Sequence, residues 1–201
     1  MDIRFYSGTM TMYFSGEFEE ELQEEAQVYS QVCLWQEALL EELSNLCDVE
    51  TWNEKNKNFL CKYIDELDLA SLKLCIAYYE NKLSFPLKIK STWKEDKIFR
   101  KLNKTKFPCI MKGEVFLPFS FDFQFTFSNV DEEPSLYGSI YTLQKECEKL
   151  FSILGFDRNQ LESYLKNESQ LPIDKARKAL AQCDQVISHA LTHHTCVWID
   201  C

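Results

Sequence analysis

The chain has 201 residues, 45% of them hydrophobic and 27% charged, with a net charge of −10 at neutral pH. That length buries most of the unfolded apolar surface in one large or two small domains, so no disulfide or metal staple is needed for stability. Five Gly and five Pro argue against long flexible linkers, and no run reaches the roughly 18 uninterrupted apolar residues of a membrane-spanning helix.

The opening Met1-Asp2-Ile3-Arg4-Phe5 lacks the basic, apolar and small-residue order of a secretory leader. The nine cysteines are odd in number and sit among apolar neighbours, which reads as free thiols used as small hydrophobes. A cytoplasmic home is therefore expected.

Residues 2–14 read as two short strands about Ser7-Gly8, because Met10, Met12 and Phe14 alternate with Thr9, Thr11 and Tyr13. Leu22, Ala26, Tyr29, Val32, Cys33, Leu39, Leu40, Leu43 and Leu46 then recur at helical spacing, predicting a long helix from about Glu17 to Leu46, with a kink near Leu34 left open. Thr51-Trp52-Asn53-Glu54 has the form of a capping box, so a helix to about Leu67 is expected, followed by one capped by Asp68 and running to about Leu83.

Phe85–Lys90 reads as a strand with Pro86 at its start. Trp93–Lys106 is expected as a short basic helix or loop, and Lys106–Glu114 as a further strand. Phe119, Phe121, Phe123, Phe125 and Phe127 alternate with polar residues, the period of a strand with one apolar face, placed near the sheet's centre. Helices are predicted over Leu136–Leu154, stopped by Gly155, then over about Arg158–Asn167 and Asp174–His193, with a terminal strand at Cys196–Asp200. Cys33, Cys47, Cys61 and Cys75 fall fourteen residues apart, but the capping signals between them argue against a repeat.

The expected fold is a single α+β domain over 1–201: a mostly antiparallel sheet with about six helices packed mainly on one face. Its parts are a helical front (15–83), a strand-rich middle (85–128) and a helical end (136–194).

Charge is unevenly spread. Residues 17–50 hold eleven acidic side chains and no Lys or Arg, whereas residues 88–106 hold eight basic side chains against Glu95 and Asp96. The two runs carry −11 and +6. They read either as two solvated faces lying against one another or as an acidic surface that steers a basic partner.

Chemistry-bearing motifs are sparse. There is no glycine-rich phosphate loop and no GxSxG elbow. The acidic run crowds its carboxylates on an exposed face, without the apolar pocket that would raise one pKa for acid–base work. The basic run contains Trp93 and Phe99, as some nucleic-acid sites do, but overall acidity makes nucleic acid an unexpected partner.

His189 and His193 have the spacing of a two-histidine zinc half-site, with Cys196 close behind. The glutamate of the zinc-protease motif is absent, and imidazoles at a helix end are also explained by its dipole. Two readings follow. The first is a non-enzymatic interaction protein, such as an inhibitor or immunity-type protein, that binds a basic protein through Glu17, Glu20, Glu21, Glu24 and Glu41 without a cofactor. The alternative is a zinc-binding protein or metal-assisted enzyme centred on His189, His193 and Cys196.

Overall fold

The computed structural model describes residues 2–16, 25–102 and 104–200. The chain is α+β, and among the described residues six strands form one sheet: β1 (Asp2–Gly8), β2 (Leu60–Asp65), β3 (Val115–Leu117), β4 (Phe125–Ser128), β5 (Pro134–Ser139) and β6 (Cys196–Asp200). Their order is β2-β1-β6-β3-β5-β4. Only the β3–β5 pair is parallel; the other four are antiparallel. The terminal strand β6 therefore lies inside the sheet, between β1 and β3.

Alternate residues of the central strands enter two different cores. Phe5, Phe116, Val197 and Ile199 face one side, against α3 (Glu66–Glu80), α6 (Ile140–Leu154) and α8 (Pro172–His193). Tyr6, Val115, Leu117, Tyr137 and Trp198 face the other, against α2 (Glu25–Ser44). Three long helices thus pack on one face and one on the opposite face. The α2 core stripe is Val28, Val32, Trp35, Leu39 and Leu43, the spacing of a single buried helix face.

From Ile140 onward the chain follows the sequence pattern closely, but the helix expected over Leu136–Leu154 is corrected at its start. Leu136–Ser139 belong to β5, held as a strand by pairing with β3 on one side and β4 on the other. α6 begins at Ser139, whose hydroxyl accepts from the Tyr141 N–H, and ends at Gly155 in the left-handed conformation, as a glycine stop should. The 158–167 segment is a 3-10 turn followed by α7 (Leu161–Leu165). α8 covers the predicted helix and β6 the predicted strand.

Several expectations in the front half and middle are corrected. Residues 10–15 are a helix, α1 (Met10–Ser15), because Thr9 caps it by accepting from the Met12 N–H and Gly16 closes it in the left-handed region. The 51–67 helix is a loop and then β2. Asn53 and Asn56 turn the backbone here, their side chains accepting from the N–H of Lys55 and Asn58, a local alternative to helix formation. α3 is capped by Asp65 rather than Asp68. Asp68 is buried in its first turn, 3.3 Å from Lys175 and 3.4 Å from Lys178.

Phe85–Lys90 joins no strand; Phe85 packs on the α3 side, while Ile89 joins Ala70, Leu74 and Trp93 in a small satellite cluster. A 3-10 turn at Trp93–Glu95 and α4 (Lys97–Arg100) follow. The expected strand over 106–114 is instead α5 (Pro108–Lys112), with Pro at its first turn. The phenylalanine stripe does share one face, since Phe119, Phe121, Phe123, Phe125 and Phe127 all pack into the α2-side core. Yet only its end pairs as a strand, and β4 lies at the sheet's edge rather than its centre. The carbonyls of Phe119 and Phe121 are taken by the Ser139 and Thr142 hydroxyls at 2.6 and 2.7 Å, which holds that stretch against the start of α6.

Candidate functional site

α2 is the one long described helix on its side of the sheet, where the short α1 packs beside it, and the half of its circumference opposite the core stripe is exposed among the described residues. That half carries Gln31, Leu34, Glu37, Ala38, Glu41, Glu42 and Asn45, all exposed. Leu34 is 67% exposed and is the one large apolar side chain on this face. Among the described residues, none of Glu37, Glu41 and Glu42 takes part in an ion pair, and no basic residue lies in the last turn of the helix.

Glu41 of the sequence-derived site is therefore exposed on an unneutralised acidic face, together with Glu37 and Glu42. Glu17, Glu20, Glu21 and Glu24 lie outside the described residues. The helix is continuous through Leu34.

The C-terminal histidines are placed differently. His189 and His193 share the α8 face, their ring centroids 4.4 Å apart. The Nδ1 of His189 is 2.9 Å from Ser7 Oγ, which is in turn 3.1 Å from Thr195 Oγ1. Burial first, and then the neighbouring His193, hold the His189 pKa below the usual imidazole range. Cys196 is buried in the opposite, α2-side core, so the sheet separates it from the two imidazoles. His194 is the left-handed C-cap of α8. Among the described residues, no three His, Cys, Asp or Glu side chains gather as a metal-binding group. The His pair offers two ligands where a catalytic zinc site takes three from the protein and a structural one four.

A serine hydroxyl on an imidazole is also an element of nucleophilic catalysis. Ser7, however, is fully buried and sealed from any substrate. The Ser7–His189–Thr195 chain of contacts ties β1, α8 and the entry to β6 together. Neither the Ser7 contact nor the position of Cys196 is signalled by spacing along the sequence.

On the α3 side, sequence reasoning missed a groove. Two clefts of about 470 and 570 Å³ share Glu80 and Lys106 at the C-terminal end of α3. One is lined by Tyr79, Lys82, Leu83, Ser84 and Phe85, the other by Asn81, Lys101, Leu102, Lys104 and Thr105. The signal available in the sequence was the density of lysines after residue 80; the apolar floor arises only when the loop folds back onto the helix.

Among the described residues no helix is long and apolar enough to cross a membrane. No protein-family model, curated protein or solved structure matches the chain.

Proposed function

We propose that the protein is a non-enzymatic interaction protein whose acidic α2 face binds a basic protein partner, in the manner of an inhibitor or immunity-type protein. The observation that carries this reading is the outward face of α2, where Glu37, Glu41 and Glu42 follow an exposed Leu34 along the same face and, among the described residues, take part in no ion pair. An apolar anchor within a charged rim is the usual build of a binding patch.

Helix electrostatics supports the same reading. Glu41 and Glu42 lie in the last turn of α2 (Glu25–Ser44), at the negative end of the helix dipole, where carboxylates are unfavourable and cations would be stabilising. Folding gains nothing from this arrangement, so an external partner accounts for it better. The eight cysteines described are free thiols, which fits a reducing interior such as the cytoplasm.

The test is affinity capture from the native extract at low and high salt. A basic protein recovered at low salt by the wild-type chain, and lost on the combined change Glu37→Lys, Glu41→Lys and Glu42→Lys, is the expected result. If the same protein is retained by the triple variant with its circular dichroism unchanged, the acidic face is not the binding surface.

A further inference from the structure

We infer that the lysine-rimmed groove at the end of α3 receives the acidic α2 face of a second copy, so that the chain associates head to tail. The inference rests on the reading of α2 as an interface and names one partner for it. The groove has an apolar floor, with Tyr79 46% and Leu83 45% exposed. Its rim carries Lys82, Lys101, Lys104 and Lys106, all exposed. Among the described residues, none of these four lysines is in an ion pair.

Glu80 lies at the junction of the two clefts, and its Oε1 accepts the backbone N–H of Lys106 at 2.6 Å. Four lysines less this one carboxylate leave a net +3 on the groove. The outward face of α2 presents Glu37, Glu41 and Glu42, a net −3, along the same face as Leu34. Charge and apolar anchor are therefore complementary between the two surfaces.

One molecule cannot satisfy both patches by itself. α2 packs on the face of the sheet that includes Tyr6 and Trp198, and α3 on the face that includes Phe5 and Val197. The acidic and basic patches thus lie on opposite sides of the sheet, and the sheet with both its cores stands between them. For the same reason a two-fold dimer cannot bury both patches of both copies. The contact is heterologous, and it propagates from copy to copy unless the rotation happens to close a ring. Opposite charges on exposed rims also make the association steerable and salt-sensitive.

Sedimentation velocity of the full chain over a range of concentrations tests this. At low salt the weight-average mass should rise steadily with concentration to more than double the monomer value. It should return to monomer at about 1 M salt, where the screening length shrinks to about 3 Å. The variant Lys101→Glu, Lys104→Glu, Lys106→Glu and the variant Glu37→Lys, Glu41→Lys, Glu42→Lys should each be monomeric alone. Mixed in equal amounts they should associate again, because each then offers the other a complementary pair. Recovery in the mixture requires both variants to be folded, so loss through misfolding is separated from loss of the contact.

A wild-type chain that stays monomeric at low salt, a plateau at a symmetric dimer, or a groove variant that associates as the wild type does would each overturn the inference. The proposed function is judged apart from this, by whether the groove variant, whose α2 face is intact, still captures a basic protein from the extract. Capture by a monomeric chain removes self-association and leaves the acidic interface standing.

Discussion

The two faces of the sheet solve the same packing problem by different means. Beneath α3, α6 and α8 the core sets small side chains among its Leu, Ile and Phe residues. Ala176, Ala179, Ala181 and Ala190 on α8 are fully buried with Cys75, Cys147 and Cys183, so three helices can lie close to the strands and to one another. Beneath α2 one long helix, the short α1 and several loops must fill the same width, and rings do most of it: Trp35, Trp52, Phe119, Tyr137 and Trp198. Small residues buy close helix approach, while large ones let one helix cover a broad sheet. The consequence for function is that α2, flanked only by the short α1 among the described helices, keeps Gln31, Leu34, Glu37, Ala38, Glu41 and Glu42 exposed.

The largest expected effect breaks the aromatic side. Trp35 lies 6.1 Å from the Trp52 ring and 6.3 Å from Tyr137, and its indole N–H donates to the Ser128 carbonyl at 2.9 Å. Trp35→Ala should cost about 3–5 kcal/mol through the cavity it opens, read as a fall in the urea midpoint. On the other face the buried alanines of α8 have nothing to truncate, and enlargement is the sensitive change at those sites. Ala179→Leu, at a site with no exposed surface, should cost about 1–3 kcal/mol by overpacking. If Ala179→Leu were tolerated without loss, the α3–α6–α8 face would not be the tightly packed one.

Beneath this difference the faces share a device. Each buries one carboxylate that caps a short helix remote in the sequence. Glu54 accepts the Thr11 N–H of α1 at 2.8 Å and the indole N–H of Trp52. Glu146 accepts the N–H groups of Cys109 and Ile110 in α5, each at 3.0 Å. Helices this short leave most of their N-terminal N–H groups unpaired, and at a buried end a distant side chain must supply the acceptor. Glu54→Ala and Glu146→Ala should each cost about 1–3 kcal/mol, the penalty of stranding buried donors.

Their pH dependence has a definite sign. Both carboxyls are pushed above the ordinary carboxylate range, by burial first, with the N–H bonds pulling the other way. A raised folded pKa means that the folded chain holds the proton more tightly than the unfolded chain does. This contribution to stability is therefore full below the unfolded value of about 4.3 and is lost as pH rises through the raised folded value. Relative to Glu54→Gln or Glu146→Gln, the wild type should weaken across that window in denaturation at a series of pH values. A difference that grows in the opposite direction would mean that the N–H bonds outweigh desolvation.

These caps also show why the front half was hard to read from the sequence. Met10, Met12 and Phe14 alternate as a strand would, and although Thr9 and Gly16 cap α1 locally, its second buried acceptor, Glu54, lies far along the chain. Thr51-Trp52-Asn53-Glu54 has the letters of a capping box, yet Glu54 turns toward α1 and caps another helix. From α6 onward the chain carries its signals locally, in Ser139 before α6, Gly155 after it and the apolar stripe of α8, and there the sequence pattern and the fold agree. β5, just before α6, reads as helix because its strand character comes from pairing with the distant β3 and with β4. The acidic face was legible because its residues are consecutive turns of one helix. The groove was not, since the end of α3 meets Lys101, Leu102, Lys104, Thr105 and Lys106 only in three dimensions.

The smallest expected effect on stability bears most directly on function. Reversing Glu37, Glu41 and Glu42 removes no core contact, and surface changes of this kind stay within about 0.5 kcal/mol. Lysines at positions 41 and 42 would sit at the end of the helix dipole that favours cations, worth about 0.3–1 kcal/mol. Glu37 and Glu41 already form a like-charge pair four residues apart, so exchanging it for a lysine pair leaves that repulsion about as it was. The triple reversal should therefore leave the urea midpoint unchanged or slightly raised. A marked loss of stability would show that the carboxylates support the fold through contacts beyond the exposed face, and the case for α2 as an interface would lose its electrostatic premise. A neutral or stabilising outcome, combined with loss of partner capture, would show that the negative end of α2 serves recognition at a small expense to folding.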